Sequence, residues 1–160
     1  MKIGVISDTH SKALPKQLLN DFKDVNFVIH AGDICDLEAY QSMKKWKDLR
    51  AVYGNMDDHV IKDTLPRRLI LDCENCRIGV FHGEGAPKGI LDKVKNEFKG
   101  EKVDAVVFGH SHHPFNETID NMLFFNPGSP NDEIFAPYRS YGILEVNENR
   151  VTGEIIKIKE

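Results

Sequence analysis

A chain of 160 residues, 41% hydrophobic and 29% charged, can build one domain with a sizeable core and is too short for two comfortable ones. Its formal net charge of −4 leaves no global basic footprint, which disfavours binding to long nucleic acids. No apolar run approaches the roughly 20 residues that span a bilayer, and the opening MKIGVISD lacks a secretory h-region and cleavage site, so one domain over residues 1–160 in the cytoplasm is expected.

Taken in order, residues 2–6 read as a β-branched strand, and 14–22 as a helix with Pro15 suited to its first turn. A strand at 26–30, an amphipathic helix at 37–46 and a strand at 50–53 follow. Residues 68–72 and 77–81 read as two strands joined by Cys73-Glu74-Asn75-Cys76. That lone CxxC lacks the second half of a zinc site, so a turn explains it better than a metal or redox role. Three cysteines cannot all pair, which suits a reducing compartment. Residues 89–98 form a helical pattern with Ile90, Leu91, Val94 and Phe98 apolar, and a strand at 103–108 comes next. After Pro114 the helices stop. Strands are expected at 122–125, 141–146 and 151–158, with Asn147-Glu148-Asn149 as a hairpin turn. The alternation through Phe108 predicts α/β units with right-handed crossovers, and the remainder reads as antiparallel.

The polar residues fall on this map in a pattern. Strand 2–6 releases Asp8 and His10, strand 26–30 releases Asp33, and strand 50–53 releases Asn55. Strand 77–81 releases His82, and strand 103–108 runs into Gly109-His110-Ser111-His112-His113-Pro114. The carboxyl ends of strands are where α/β sheets gather ligands and catalytic groups. One such residue could be a cap or turn former; five strands delivering them to one edge are hard to explain as turns. Carboxylates, imidazoles and one amide, without thiolate, favour divalent manganese, iron, nickel, magnesium or zinc. Seven candidates exceed what one ion requires, and two ions sharing a bridging carboxylate would use them all.

SDTH, AGD, GNMD, FHG, GHSH and NPGS, in that order, resemble the calcineurin-like metallophosphoesterase superfamily, and most of all its small bacterial and archaeal phosphodiesterases. The resemblance implies an α/β (α+β) fold, a four-layer α/β/β/α sandwich of two mixed β-sheets flanked by helices. It implies two divalent metal ions per chain, manganese foremost. The first would take Asp8, His10, Asp33 and His112; the second would take Asp33, Asn55, His82 and His110, with Asp33 bridging. A hydroxide held between them would attack phosphorus in line. His113 matches no ligand position and reads as a solvated loop histidine, with a substrate-facing role as the alternative.

The departures narrow the substrate. Where many relatives carry a histidine after the G-N asparagine, this chain has Met56; Asp36 stands where a carboxylate would support that histidine, and Leu37 stands where the phosphoprotein phosphatases carry arginine. A protein phosphatase is therefore not expected. His59 is either a substitute acid from the same loop or an exposed residue at a helix start. Ser7, Ser111 and Asn126 either orient ligands or form turns. Lys88, in HGEGAPKG, and Arg139, after NPGS, are candidate phosphate contacts, with a glycine-rich turn and core packing as their alternatives. The expected function is hydrolysis of small phosphodiesters or nucleotides, with a phosphomonoesterase on the same site as the alternative. A non-catalytic protein-binding scaffold, like the small retromer subunit that this fold resembles, is the other. No membrane or long nucleic-acid partner is expected, and the sequence leaves a homo-oligomer open.

Overall fold

Ten strands and four helices, in a computed structural model that describes residues 1–159, divide between two five-stranded sheets. The first runs β10 (Arg150–Lys157), β9 (Ser140–Asn147), β1 (Lys2–Ile6), β2 (Phe27–His30), β3 (Leu49–Ala51). β1, β2 and β3 are parallel through the crossovers α1 (Lys16–Asp21) and α2 (Leu37–Trp46), as the alternation predicts, while β9 and β10 join antiparallel. The second sheet runs β4 (Arg68–Cys73), β5 (Cys76–Phe81), β6 (Ala105–Val107), β8 (Met122–Asn126), β7 (Phe115–Ile119). Here β5, β6 and β8 are parallel, with β4 and β7 antiparallel at the edges. α3 (His59–Thr64) precedes β4, and α4 (Ile90–Glu97) links β5 to β6.

The layers follow from side-chain alternation. Ile3, Val5, Phe27 and Ile29 of the first sheet share one buried cluster with Ile78, Val80, Ala105, Val107, Leu123 and Phe125 of the second. That is the seam between the sheets. The opposite faces of the same strands carry Ile6 and Val28, which pack on Leu18, Phe22, Met43 and Ile61 of the first three helices and their flanks. On the far side, Phe81, Val106 and Phe124 pack on Ile90, Val94 and Phe98. Helices, sheet, sheet and helix make the four-layer sandwich. Strands buried on both faces read as continuous apolar runs, which is why they were conspicuous in the sequence.

Three features differ from the sequence reading or extend it. The stretch after Pro114 is mixed: β8 pairs parallel with β6 as well as antiparallel with β7. β7, FNETI, was not anticipated, because its middle residues are exposed at a sheet edge and only pairing with β8 makes it a strand. The CENC turn closes the β4–β5 hairpin, with Cys73 opposite Cys76 and both thiols free. No helix among the described residues is long and apolar enough to cross a membrane.

Candidate metal centre

The carboxyl ends of β1, β2, β3, β5 and β6 meet at one edge of the sandwich, so the two sheets deliver their loops to a common place. The β1 loop is laddered onto the β2 loop: Asp8 N donates to Gly32 O at 2.9 Å, His10 N to Asp33 O at 3.1 Å and Ser11 N to Ile34 O at 2.9 Å. Gly109 N donates to His82 O at 3.0 Å, and His110 N to Asp8 Oδ2 at 3.1 Å, which ties the second sheet to the first. Two glycines are required by contact. A Cβ on Gly54 would stand 2.2 Å from Asp33 Oδ1, and one on Gly109 would stand 2.0 Å from Ser7 Oγ.

These loops bend through left-handed backbone at residues that are not glycine. Asp8, His10, Asp33, His110 and His112 all have φ between 49° and 70°. Asp and His are among the side chains that visit this region most readily, yet each visit still costs about 1–2 kcal/mol. Strain of this kind tends to cluster at functional sites, and five candidate ligands carry it here.

Two groups of metal-ligating atoms converge, Asp8 with His10 and His112, and Asp8 with Asp33 and His82, each within 4.8 Å. Asp33 Oδ2 lies 3.3 Å from His82 Nε2 and 3.9 Å from His10 Nε2, between the two imidazole sets. Asn55 Oδ1 stands 3.1 Å from His82 Nε2 and 3.0 Å from His110 Nδ1. All seven predicted residues therefore come together.

Their hydrogen bonds say which atoms remain free. Nδ1 of His82 donates to Ala31 O at 2.7 Å, Nδ1 of His112 to Asp132 Oδ2 at 2.5 Å, and Nε2 of His110 to Gly85 O at 2.5 Å. His10 turns Nδ1 toward Cys35 Sγ, 3.4 Å away. Each ring thus has one nitrogen engaged and presents the other inward, the arrangement that protein partners impose on metal-binding imidazoles. Asp8 Oδ2 accepts from Ser7 Oγ at 2.7 Å as well as from His110 N, whereas its fully buried Oδ1 accepts no hydrogen bond. A buried carboxylate oxygen without a donor is costly unless a positive charge sits against it. The donor set fits a divalent cation.

The electrostatics agree. Burial alone would raise the Asp8 pKa, but the charges of His82 and His112, 3.3 Å from Oδ1 in the case of His112, together with the Ser7 hydroxyl hold it at about 2. Burial alone would lower His82, but Asp8 and Asp33 push it up to about 9; His112 is likewise opposed by burial and raised to about 9 by Asp8 and Asp132. Protons thus occupy, in the metal-free chain, the positions a cation would take.

Four supporting residues escaped the sequence reading. Asp57, 4% exposed, accepts from Asp33 N at 3.1 Å, Cys35 N at 2.6 Å and Gly54 N at 2.7 Å, pinning the β2 and β3 loops together. Burial pushes its carboxyl up, against the pull of those amides. His30 is held neutral by burial, with a pKa of about 3; its Nδ1 accepts from Gly32 N, so Nε2 donates to Thr9 Oγ1. Ser129 donates to Asp8 O, and Asp132 orients His112. The acid in GNMD and the histidine ending an apolar strand were the available signals. Asn126 does orient the GHSH loop, through Gly109 O and Ser111 Oγ, each at 3.1 Å.

Other candidates sit elsewhere. Asp36 caps α2 through Ala39 N and bonds Ser11, so it does not stand free to support a histidine at position 56. Met56 is exposed, with its N donating to Asp33 Oδ1 at 2.8 Å. His113 turns Nδ1 onto Ser111 O and lines, with Lys88, a separate cavity of about 520 Å³. Arg139 pairs with Glu133 at 3.7 Å. His59 opens α3 and is exposed.

A family model described as the calcineurin-like phosphoesterase superfamily domain matches residues 1–149. A probable metallophosphoesterase of Methanocaldococcus jannaschii is 38% identical, over 100% of this chain and 83% of that protein. A phosphodiesterase of the same organism is 31% identical over 80% of this chain and 83% of its own. Among solved structures, Vps29 of Chaetomium thermophilum superposes with a TM-score of 0.81, covering 98% of this chain and 97% of that one. At 19% identity this is a likeness of fold alone.

Proposed function

Because the chain belongs to the calcineurin-like phosphoesterase superfamily, we propose that it is a metal-dependent hydrolase of small phosphodiesters or nucleotides, working in the cytoplasm. In this reading Asp8, His10, Asp33 and His112 hold one divalent ion, and Asp33, Asn55, His82 and His110 hold a second. Manganese is favoured, and nickel, iron, magnesium and zinc suit the same oxygen and nitrogen donors. Two such ions supply Lewis acidity, lowering the pKa of a water and neutralising the oxygens of an in-line displacement at phosphorus.

The observation that carries the reading is Asp8 Oδ1, buried and unbonded, facing imidazole nitrogens whose partner nitrogens are already engaged. Ala31 O, Asp132 and Gly85 O hold the outer nitrogens of His82, His112 and His110, so the inner nitrogens are the ones left to bind an ion that displaces their protons. Asp57 holds Asp33 at the backbone while Met56 N fixes its Oδ1, leaving Oδ2 directed at both imidazole sets. The Met56 thioether cannot donate a proton, so the leaving oxygen would rely on its own acidity or on a metal, which favours aryl or phosphoryl leaving groups.

The test is metal analysis coupled to turnover. Purified protein should take up about two Mn²⁺ per chain, and bis(p-nitrophenyl) phosphate should turn over faster than p-nitrophenyl phosphate. The reverse preference would make it a monoesterase. One tight ion that survives Asp33→Asn would contradict a shared carboxylate. A chain that takes up no metal would be a protein-binding scaffold, the reading that likeness in fold to Vps29 leaves standing.

A further inference from the structure

We propose that the cavity of about 250 Å³ beside Asp8, His10 and His112 is a subsite for a flat aromatic substituent of the phosphate ester, with Phe135 as its stacking face and Lys12 as the cation at its edge. The inference rests on the phosphoesterase reading and adds to it the class of substituent. Four large apolar side chains stand exposed among the described residues. Three of them, Met56, Ile134 and Phe135, lie on loops that carry or support the ligand cluster. Ile134 and Phe135, 83% and 73% exposed, line this cavity together with Asp8, His10 and His112. A ring left so open to water gains from any flat group that covers it.

The loop beneath that ring is held in place. Asp132 Oδ1 accepts from Ile134 N at 2.8 Å and Phe135 N at 3.1 Å, and Oδ2 accepts from Ala136 N at 3.0 Å. The same Oδ2 orients His112 at 2.5 Å. One carboxylate therefore fixes both an imidazole of the cluster and the backbone carrying the aromatic face, so the subsite keeps register with the reacting centre. Lys12 Nζ reaches only the Asn131 carbonyl, at 3.4 Å, and makes no ion pair among the described residues. Its charge is free to meet a phosphate oxygen.

An enclosed apolar cavity of about 150 Å³ already admits benzene, so this open one of about 250 Å³ has room for a single ring beside the ligand cluster. A stable protein partner needs about 800 Å² on each side, far beyond two side chains on a concave wall.

Calorimetry on the Mn²⁺-loaded protein with methyl phosphate, phenyl phosphate and thymidine 5′-monophosphate tests this. The two aromatic ligands should bind at least about tenfold tighter than methyl phosphate, in line with the worth of a stacked ring. Phe135→Ala should erase that advantage and Phe135→Trp should retain it, while Lys12→Gln should weaken all three alike. A preference for thymidine monophosphate over phenyl phosphate assigns the subsite to a nucleobase; equal affinity assigns it to any flat ring. Aromatic ligands no tighter than methyl phosphate, or an advantage that survives Phe135→Ala, overturn the subsite and leave the hydrolase reading standing. Conversely, if methyl phosphate fails to bind but Phe135 still discriminates the aromatic ligands, the aromatic site stands, and metal uptake and turnover again judge the hydrolase reading. If none of the three binds, the subsite falls, and metal uptake and turnover judge the hydrolase reading separately.

Discussion

Replacing Asp57 with alanine should cost the metal-free protein about 3–6 kcal/mol of stability. The carboxylate is 4% exposed and accepts three backbone amides, at 3.1, 2.6 and 2.7 Å. Each bond to a charged acceptor contributes about 1.5–3 kcal/mol. Two effects trim the total: bonds to one carboxylate are not additive, and removing Asp57 also relieves the burial that pushes its pKa up. For a chain of this size the melting temperature should fall on the order of 10 °C. Asp57→Asn keeps one acceptor oxygen and should lose about half as much, giving a second measurement if the alanine variant does not fold. The assay is urea unfolding in EDTA, which removes metal linkage from the comparison. An alanine variant within about 1 kcal/mol of the parent, but with Mn²⁺ affinity collapsed, would mean that Asp57 binds metal rather than clamping loops.

His110→Ala and His112→Ala should each lose orders of magnitude in kcat/KM on bis(p-nitrophenyl) phosphate, whereas His113→Ala should lose less than about tenfold, roughly 1.4 kcal/mol. Equal damage from His113 would contradict its orientation toward its own loop. In the metal-free chain His82 and His112 are raised to about 9, so their protonation adds stability that is complete below about 6.5 and lost as pH rises through about 9. The melting temperature in EDTA should fall over that window, and Mn²⁺ should reverse the trend because it displaces those protons; a flat profile in EDTA would refute the pairing. Met56→His should improve alkyl diesters more than aryl ones, though by far less than the 10²–10⁴-fold of a supported acid, since Asp36 is engaged by Ala39 and Ser11. A leaving-group series with equal slopes for both proteins would show that position 56 does not face the departing oxygen.

Much of the site was legible because its residues follow strands that are apolar on both faces. Ile3 to Ile6 and Ala105 to Val107 announce themselves as runs, and Asp8, His110 and His112 stand out immediately after them. Asp57 and Asp132 were hidden for the opposite reason. Their partners are backbone amides of residues up to 24 positions away or an imidazole 20 away, a relation that tertiary packing alone creates. Asp36 misled because a cap and a catalytic support look alike in sequence: both are an acid next to a loop. The edge strand β7 was silent because its middle is wet.

The left-handed backbone at Asp8, His10, Asp33, His110 and His112 sets a trade-off. Five such residues store on the order of 5 kcal/mol, comparable to the whole margin by which a domain this size stays folded. Glycine at any of them would relax the chain while removing the donor atom. The residues that gather charge at this edge are therefore also those that hold the metal-free protein near its stability threshold. Selection for robustness alone would dismantle the site first.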